Sequence, residues 1–236
     1  GINLGDFGKN KNKEFNSTFL DLIKELDNLD LDLRFRISSI EPNLLNDEII
    51  SFMSTSKKFV HHFHIPLQSG SDSILRLMRR RYDSKLYKSR IEKINKLMPD
   101  ACIGVDVIVG FPGENDDLFL ESLDFLDSLN VSYFHVFTYS ERDNTHAISL
   151  PNIVEPNVRT KRSKLLRLLS SKKKASFYER NRGSIQDVLF ESEEKNGYIE
   201  GFSSNYIRFR RPWDPNIIGT IVKSMFVDID SDGFAI

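Results

Sequence analysis

The stretch ACIGVDVIVGFPGEND, residues 101–116, constrains this chain more than any other. Its apolar run is almost continuous, as in a strand buried on both faces, and it stops at a Gly-Phe-Pro-Gly turn. Strands of that kind belong to parallel sheets covered by helices, so the flanking segments should alternate between the two element types. They do. Upstream, Phe19, Leu22, Ile23 and Leu26 form a helical stripe, and LRFRISSIEP reads as a strand stopped by Pro42. Asp47 to Met53 reads as a short helix capped by Asn46, and KFVHHFHIPL as the next strand. QSGSD leads into the helix SILRLMRRRY, and a second helix runs from Ser84 to Met98. Beyond the central strand, Leu118, Ser122, Leu123, Leu126 and Leu129 mark a helix that precedes the strand VSYFHVFTYS. The pattern predicts parallel βα units, in either a (β/α) barrel or an open doubly wound sheet. Ligands of such folds bind at the carboxyl ends of the strands, where SSIEP, PLQSGSD, GFPGEND and YSERDNT would converge.

After Pro156 the pattern changes. Ten Lys or Arg face one acid between Asn157 and Arg182, although the whole chain carries a net charge of -1. From Gly183 short strands follow one another: SIQDVLFES, GYIEGFSS, NYIRFRR and IIGTIVKSMFVDI, separated by turn signals such as Asn196-Gly197 and Asp232-Gly233. The expected organisation is an α/β unit over residues 1–155, a basic helix over 156–182 and a small all-β barrel over 183–236.

Composition narrows the function classes. The chain has 236 residues, 39% hydrophobic and 28% charged, which is ordinary globular material. No apolar run approaches the roughly 20 residues of a membrane helix, and no signal peptide is visible, so a cytoplasmic protein is expected. A single cysteine, Cys102, excludes a disulfide framework or a multi-cysteine metal site built from this chain alone.

Several motifs carry candidate chemistry. In GFPGE, Gly110 and Gly113 permit close backbone approach while Pro112 stiffens the turn. In QSGSD, Gln68, Ser69 and Ser71 exceed what helix capping by Ser71 or Asp72 requires. His62 and His64 share one strand face, but no third ligand stands at a diagnostic spacing, so polar lining of a barrel is expected rather than a metal. Of the three arginines in MRRRY, one or two can face the pocket and clamp an anion. The basic helix interleaves Leu165, Leu166, Leu168 and Leu169 with its cations, and Tyr206, Phe209 and Trp213 stand among Arg208, Arg210 and Arg211. That combination suits a polyanion, and RNA in particular.

Taken together, GINLGDFG, RFRISSIEP, HIPLQSGSDSILRLMRRRY, DVIVGFPGE, FHVFTYSERDNTHA and the run from VLFES to GFSSNYIRF resemble the methylthiotransferase family of radical S-adenosylmethionine enzymes. ISSIEPN and GFSSNYI look most like the branch acting on N6-threonylcarbamoyladenosine at position 37 of tRNA. The resemblance implies a partial (β/α) TIM-like radical SAM barrel followed by a TRAM domain, an OB-like RNA-binding barrel. It also implies that a 4Fe-4S cluster cleaves S-adenosylmethionine to a radical that abstracts hydrogen from C2 of the adenine, so that sulfur and methyl can be installed.

Carried over by position, Asn3 and Gly5 look like the loop near the methionyl end, with Ser39 and Glu41 at a strand exit. Gln68 and Ser69 would reach ribose or carboxylate, Val109, Gly110 and Pro112 would lie along the adenine, and Tyr139 with Ser140 would close its far side. Arg80 would meet an anionic group. For RNA the expected residues are Arg162, Lys172, Lys173, Lys174, Tyr206, Arg208 and Arg210. The expected partners are the anticodon loop of tRNA, an electron donor and a sulfur source, with no membrane. Asn144 stands where many relatives carry Gly, a change that the left-handed conformation tolerates.

The family holds its two 4Fe-4S clusters with cysteines that this sequence lacks. The chain is therefore expected to retain no cluster, to be a fragment of a larger enzyme and to be inactive alone. Two other readings stay open: another branch of the family, acting on isopentenyladenosine tRNA or a ribosomal protein, and a non-catalytic RNA-binding module.

Overall fold

The computed structural model describes residues 4–8, 17–31 and 33–236. Its first part is built from capped helices and a parallel sheet. Helix α1 (Phe19–Asp27) begins with a capping box, in which Thr18 Oγ1 accepts from Asp21 N and the Asp21 carboxylate accepts from Thr18 N at 2.7 Å. Helix α2 (Asp47–Met53) is capped by Asn46, as its sequence predicts, with Oδ1 accepting from Ile49 N at 2.9 Å. Strand β1 (His62–His64), helices α3 (Asp72–Leu77) and α4 (Ser84–Leu97), strand β2 (Cys102–Val109), helix α5 (Asp116–Ser128) and strand β3 (Tyr133–Thr138) follow.

The three strands form a parallel sheet in the order β1-β2-β3, with His64 opposite Gly104 and Asp106 opposite His135. Ile103, Val105, Val107 and Val109 project from one face into the main core, beside Phe63, Ile91, Leu126 and Phe134. The other face carries the intervening residues of β2, Cys102, Gly104, Asp106 and Ile108, because side chains alternate along a strand.

Where LRFRISSIEP predicts a strand, only a bridge between Phe35 and Phe59 forms. Phe35 N donates to Lys58 O at 2.8 Å and Ile40 N to His64 O at 3.1 Å, so the segment runs beside β1 with an interrupted ladder. The strand predicted in KFVHHFHIPL shortens to three residues for the same reason.

Helix α6 (Pro156–Asn181) is the longest element. Leu166 packs in the main core, whereas Phe177 and Tyr178 belong to a second core with Val188, Phe190, Ile199, Ile207, Phe209 and Phe226. That second core covers an antiparallel sheet of β4 (Ile185–Lys195), β5 (Tyr198–Ser203), β6 (Arg208–Pro212) and β7 (Ile221–Met225), in the order β6-β5-β4-β7. Asn196 and Gly197 join β4 to β5 with φ of 55° and 82°, the left-handed pair that a two-residue hairpin needs. The named strands close no barrel in either sheet. Residues 234–236 nonetheless lie between the two ends of the second sheet: Ala235 N donates to Arg208 O at 2.8 Å, and Val227 N to Ile236 O at 2.8 Å.

Side chains join the two sheets. Tyr206 stacks on Phe202 at 4.5 Å, meets His62 of β1 at 4.3 Å and lies under the Arg36 guanidinium at 4.8 Å. Asn205 Nδ2 donates to Asp100 O at 3.1 Å. Among the described residues, no helix is long and apolar enough to cross a membrane.

Candidate functional site

The predicted ligand loops do meet at the carboxyl ends of the parallel strands. Gln68 follows β1 with a left-handed φ of 74°, held by its own backbone: its N–H donates to Asp106 O at 2.8 Å, and its carbonyl accepts from Ile108 N at 2.9 Å. Gly70 N donates to Ser122 Oγ at 2.7 Å, and a Cβ at Gly70 would stand 2.8 Å from Ser122 Cα. Close packing against α5, rather than approach to a ligand, requires this glycine. Ser69 is 1% exposed, its hydroxyl accepting from Ser71 N at 3.2 Å, so its predicted contact with a ligand is not available in this arrangement. Asp72 is the residue that ties the helices here, accepting from Ser84 N at 2.7 Å.

At the end of β2, Gly110 and Gly113 take φ of 77° and 92°, as the turn requires. The Val109 side chain lies in the main core, so only its backbone faces the loops, and its carbonyl accepts from Tyr139 N at 2.9 Å. Pro112 is buried. Gly110 N donates to Glu114 Oε1 at 2.9 Å, and the Arg159 side chain fills the space beside Gly110. Tyr139 sets its ring edge-on to Phe111 at 5.3 Å and leaves its buried hydroxyl without a partner, while Ser140 is exposed. Glu41 and Arg80 form an ion pair at 3.4 Å, each about 30% exposed, and Arg80 Nε is buried without a partner. Ser39 is half-buried nearby in sequence, and Gly5 packs against Leu44 in the turn after Glu41. Asn3 lies outside the described residues.

Two arginines that composition alone would assign to a solvated basic helix hold these loops instead. Arg159 donates to Val154 O at 2.6 Å, Tyr139 O at 2.9 Å and Glu141 Oε1 at 2.6 Å. Arg162 donates to Glu114 Oε1 at 2.7 Å, Glu114 O at 3.0 Å and Asp116 Oδ1 at 2.7 Å. Burial pushes the Glu114 carboxyl above its ordinary range, while the Gly110 N–H and Arg162 act in the opposite direction. Arg162 is 5% exposed and is thus withdrawn from the RNA surface predicted for it. The helical spacing of Arg159, Arg162, Leu166, Ser170 and Phe177 marks this buried face, and it is the signal by which the two arginines could have been found.

The rest of the predicted RNA surface divides. Lys172 and Lys174 are exposed, but Lys173 donates to the carbonyls of Asp127 and Leu129 at 2.6 and 2.7 Å and caps α5. Arg208 is half-exposed, with its guanidinium 4.3 Å over Phe234 and 3.1 Å from Glu200. Arg210 is engaged by Glu200, Asp230 and Asp232 at 3.1, 3.3 and 2.6 Å, so acids already neutralise it. Tyr206 spends its ring on Phe202, His62 and Arg36, which leaves it a joint between the sheets rather than a free platform for a base.

On the inner face of the parallel sheet, a cavity of about 520 Å³ is lined by Arg36, His62, His64, Tyr133, His135 and Tyr206, among others. His62 is fully buried beside Tyr133 Oη at 3.1 Å, and burial, with Arg36 next, brings its pKa down to about 3. His64 reaches Asp106 Oδ1 at 2.8 Å and the Ser38 carbonyl at 3.1 Å. Both histidines line this cavity.

The residues present do not fit an iron–sulfur cluster. Cys102, the sole cysteine, begins β2 at the end of the sheet opposite the loops, is 3% exposed, and has its thiol pushed up to about 12 by burial.

Comparison with known proteins agrees with the resemblance. Residues 12–126 match the radical SAM superfamily. The chain is 38% identical over 229 residues to the threonylcarbamoyladenosine tRNA methylthiotransferase MtaB of Bacillus subtilis, covering 94% of this chain and 50% of that protein. It is 37% identical over 191 residues to the tRNA-2-methylthio-N(6)-dimethylallyladenosine synthase of Vesicomyosocius okutanii, covering 80% of this chain and 43% of that protein. Among solved structures, coproporphyrinogen III oxidase (HemN) from Escherichia coli aligns with a TM-score of 0.46 at 15% identity, over 68% of this chain and 35% of that one. The chain spans about half the length of the curated relatives it matches. Over most of its length the sequence is similar to tRNA methylthiotransferases, and its first half matches the radical SAM superfamily.

Proposed function

We propose that this chain serves methylthiolation of C2 of N6-threonylcarbamoyladenosine at position 37 of tRNA, with the 4Fe-4S clusters held by cysteines outside these 236 residues. The observation that carries this reading is the 38% identity, over 94% of this chain, to a protein named a threonylcarbamoyladenosine tRNA methylthiotransferase. The division into an α/β unit (1–155), a basic linker helix (156–182) and an RNA-binding barrel (183–236) belongs to the same reading. S-adenosylmethionine supplies the hydrogen-abstracting chemistry when bound.

The chain's own residues fit its amino-acid and adenine ends. Glu41 and Arg80 offer a carboxylate and a guanidinium, with Arg80 Nε still unpartnered, to an ammonium and a carboxylate respectively. The backbone from Val109 to Pro112 and the buried, unpartnered Tyr139 hydroxyl would lie along its adenine. Gln68 would reach its ribose or carboxylate, and Arg159 and Arg162 tie α6 to the two loops. Lys172, Lys174 and Arg208 supply the positive surface for tRNA.

Nucleoside analysis of tRNA from cells lacking the gene tests the assignment. The expected result is loss of the 2-methylthio group from threonylcarbamoyladenosine alone. Loss from dimethylallyladenosine instead would move the protein to the branch of the Vesicomyosocius relative, and unchanged tRNA would refute both. For the RNA surface, joint Lys172→Glu and Lys174→Glu substitution should weaken tRNA binding and flatten its salt dependence, with a log–log slope smaller by about 1 per lost phosphate contact.

A further inference from the structure

Three residues of metal-ligating type meet on the inner face of the parallel sheet. His64 comes from β1, Asp106 from β2 and His135 from β3, and their ligand atoms all lie within 4.8 Å of one another. Backbone pairing sets this arrangement: Asp106 stands directly opposite His135, while His64 stands opposite Gly104, two residues earlier on the same face of β2. Ligands fixed by strand register are held more tightly than ligands gathered from loops. No sequence spacing reveals the set, because each strand contributes one member and helices intervene.

The hydrogen-bond inventory of His64 points the same way. Its Nδ1 faces the Ser38 carbonyl at 3.1 Å and its Nε2 faces Asp106 Oδ1 at 2.8 Å, and both partners are acceptors. A neutral imidazole has one N–H to give. With that N–H on Ser38, Nε2 is left as a lone-pair donor next to a carboxylate: either a second proton bridges the two, or both ligate one cation standing beside them. A histidine whose far nitrogen is anchored on a backbone carbonyl is the usual arrangement of a metal ligand.

We propose that His64, Asp106 and His135 bind one divalent transition-metal ion of the zinc and cobalt type, at a site open toward the cavity of about 520 Å³ that His64 and His135 line. Two imidazoles with one carboxylate suit Zn(II), Co(II) or Fe(II) and leave at least one coordination position for water or a ligand. Magnesium and calcium are unsuited, since they want several oxygen ligands and this set supplies one carboxylate and two imidazoles. This inference stands apart from the tRNA reading and needs none of the cluster chemistry.

Titration of the untagged 236-residue chain with Co(II), followed by visible absorption and then displaced with Zn(II), tests it directly. The expected result is one ion per chain, indifferent to excess Mg(II), with affinity at least roughly ten-fold weaker in His135→Ala and in Asp106→Asn. His135 is exposed, so its substitution leaves the core intact, and a circular dichroism melt confirms that each variant is folded. Absence of any absorption band at about ten-fold excess of Co(II) would overturn the proposal and leave a proton between His64 and Asp106. So would an affinity unchanged in His135→Ala, or uptake abolished by His61→Ala in a chain that stays folded.

Discussion

Two residues show how differently backbone and burial constrain single positions. Gln68 sits at φ 74°, a region that costs a residue with a Cβ about 1 kcal/mol, while its backbone is locked to Asp106 and Ile108. Gln68→Gly should therefore raise the urea midpoint by the equivalent of about 1 kcal/mol. An unchanged or lowered midpoint would show that the amide itself stabilises the fold. Cys102 lies at the other extreme. Its thiol ionises at about 12 rather than at the ordinary 9.0, so the unfolded chain loses its proton first as pH rises. The protonated thiol's contribution to stability is full below pH 9 and declines between 9 and 12. At pH 8 only about one native thiol in ten thousand is ionised, so a disulfide reagent should label Cys102 at the rate of unfolding and no faster. The polar run at Gln68 was legible in the sequence, but its division between backbone locking at Gln68, packing at Gly70 and helix tying at Asp72 was not. That division depends on which neighbour each atom meets.

Elements differ in how plainly the chain announces them. The Asn46 cap of α2, the long apolar β2 and the Asn-Gly hairpin are local chemistry, so they stand where the residues predict. The strand around Phe35 is different, because its ladder needs a partner along its whole length and only the residues beside β1 provide one. Helix α6 is the instructive case. Its ten neighbouring cations suggest one solvated face, yet Arg159 and Arg162 continue the apolar stripe of Leu166 and Phe177 and are buried. Replacing Arg162 with Ala leaves Glu114 buried without its charge partner and should cost about 3–5 kcal/mol, measured by chemical denaturation. An RNA-contact role would instead lower tRNA affinity at unchanged stability. Gly70→Ala offers a second test at this scale: with 2.8 Å to the Ser122 backbone, it should destabilise by about 1–3 kcal/mol by pushing α5 from the sheet.

For the whole molecule, α6 matters because it is counted twice. Leu166 is a member of the core under the parallel sheet, and Phe177 and Tyr178 are members of the core under the antiparallel one. Sequence patterning shows two structural styles with a basic segment between them, and it suggests two modules on a tether. Shared side chains imply a different thermodynamics. Neither core can lose its helix while the other remains whole, so heat should unfold the chain in one cooperative transition, with calorimetric and van't Hoff enthalpies equal. Two resolved transitions would show that the sheets are energetically independent. The same sharing predicts what proteolysis meets: a cut after Arg182 would strip Phe177 and Tyr178 from Val188, Ile207 and Phe226, leaving a sheet that aggregates instead of a domain that can be studied alone.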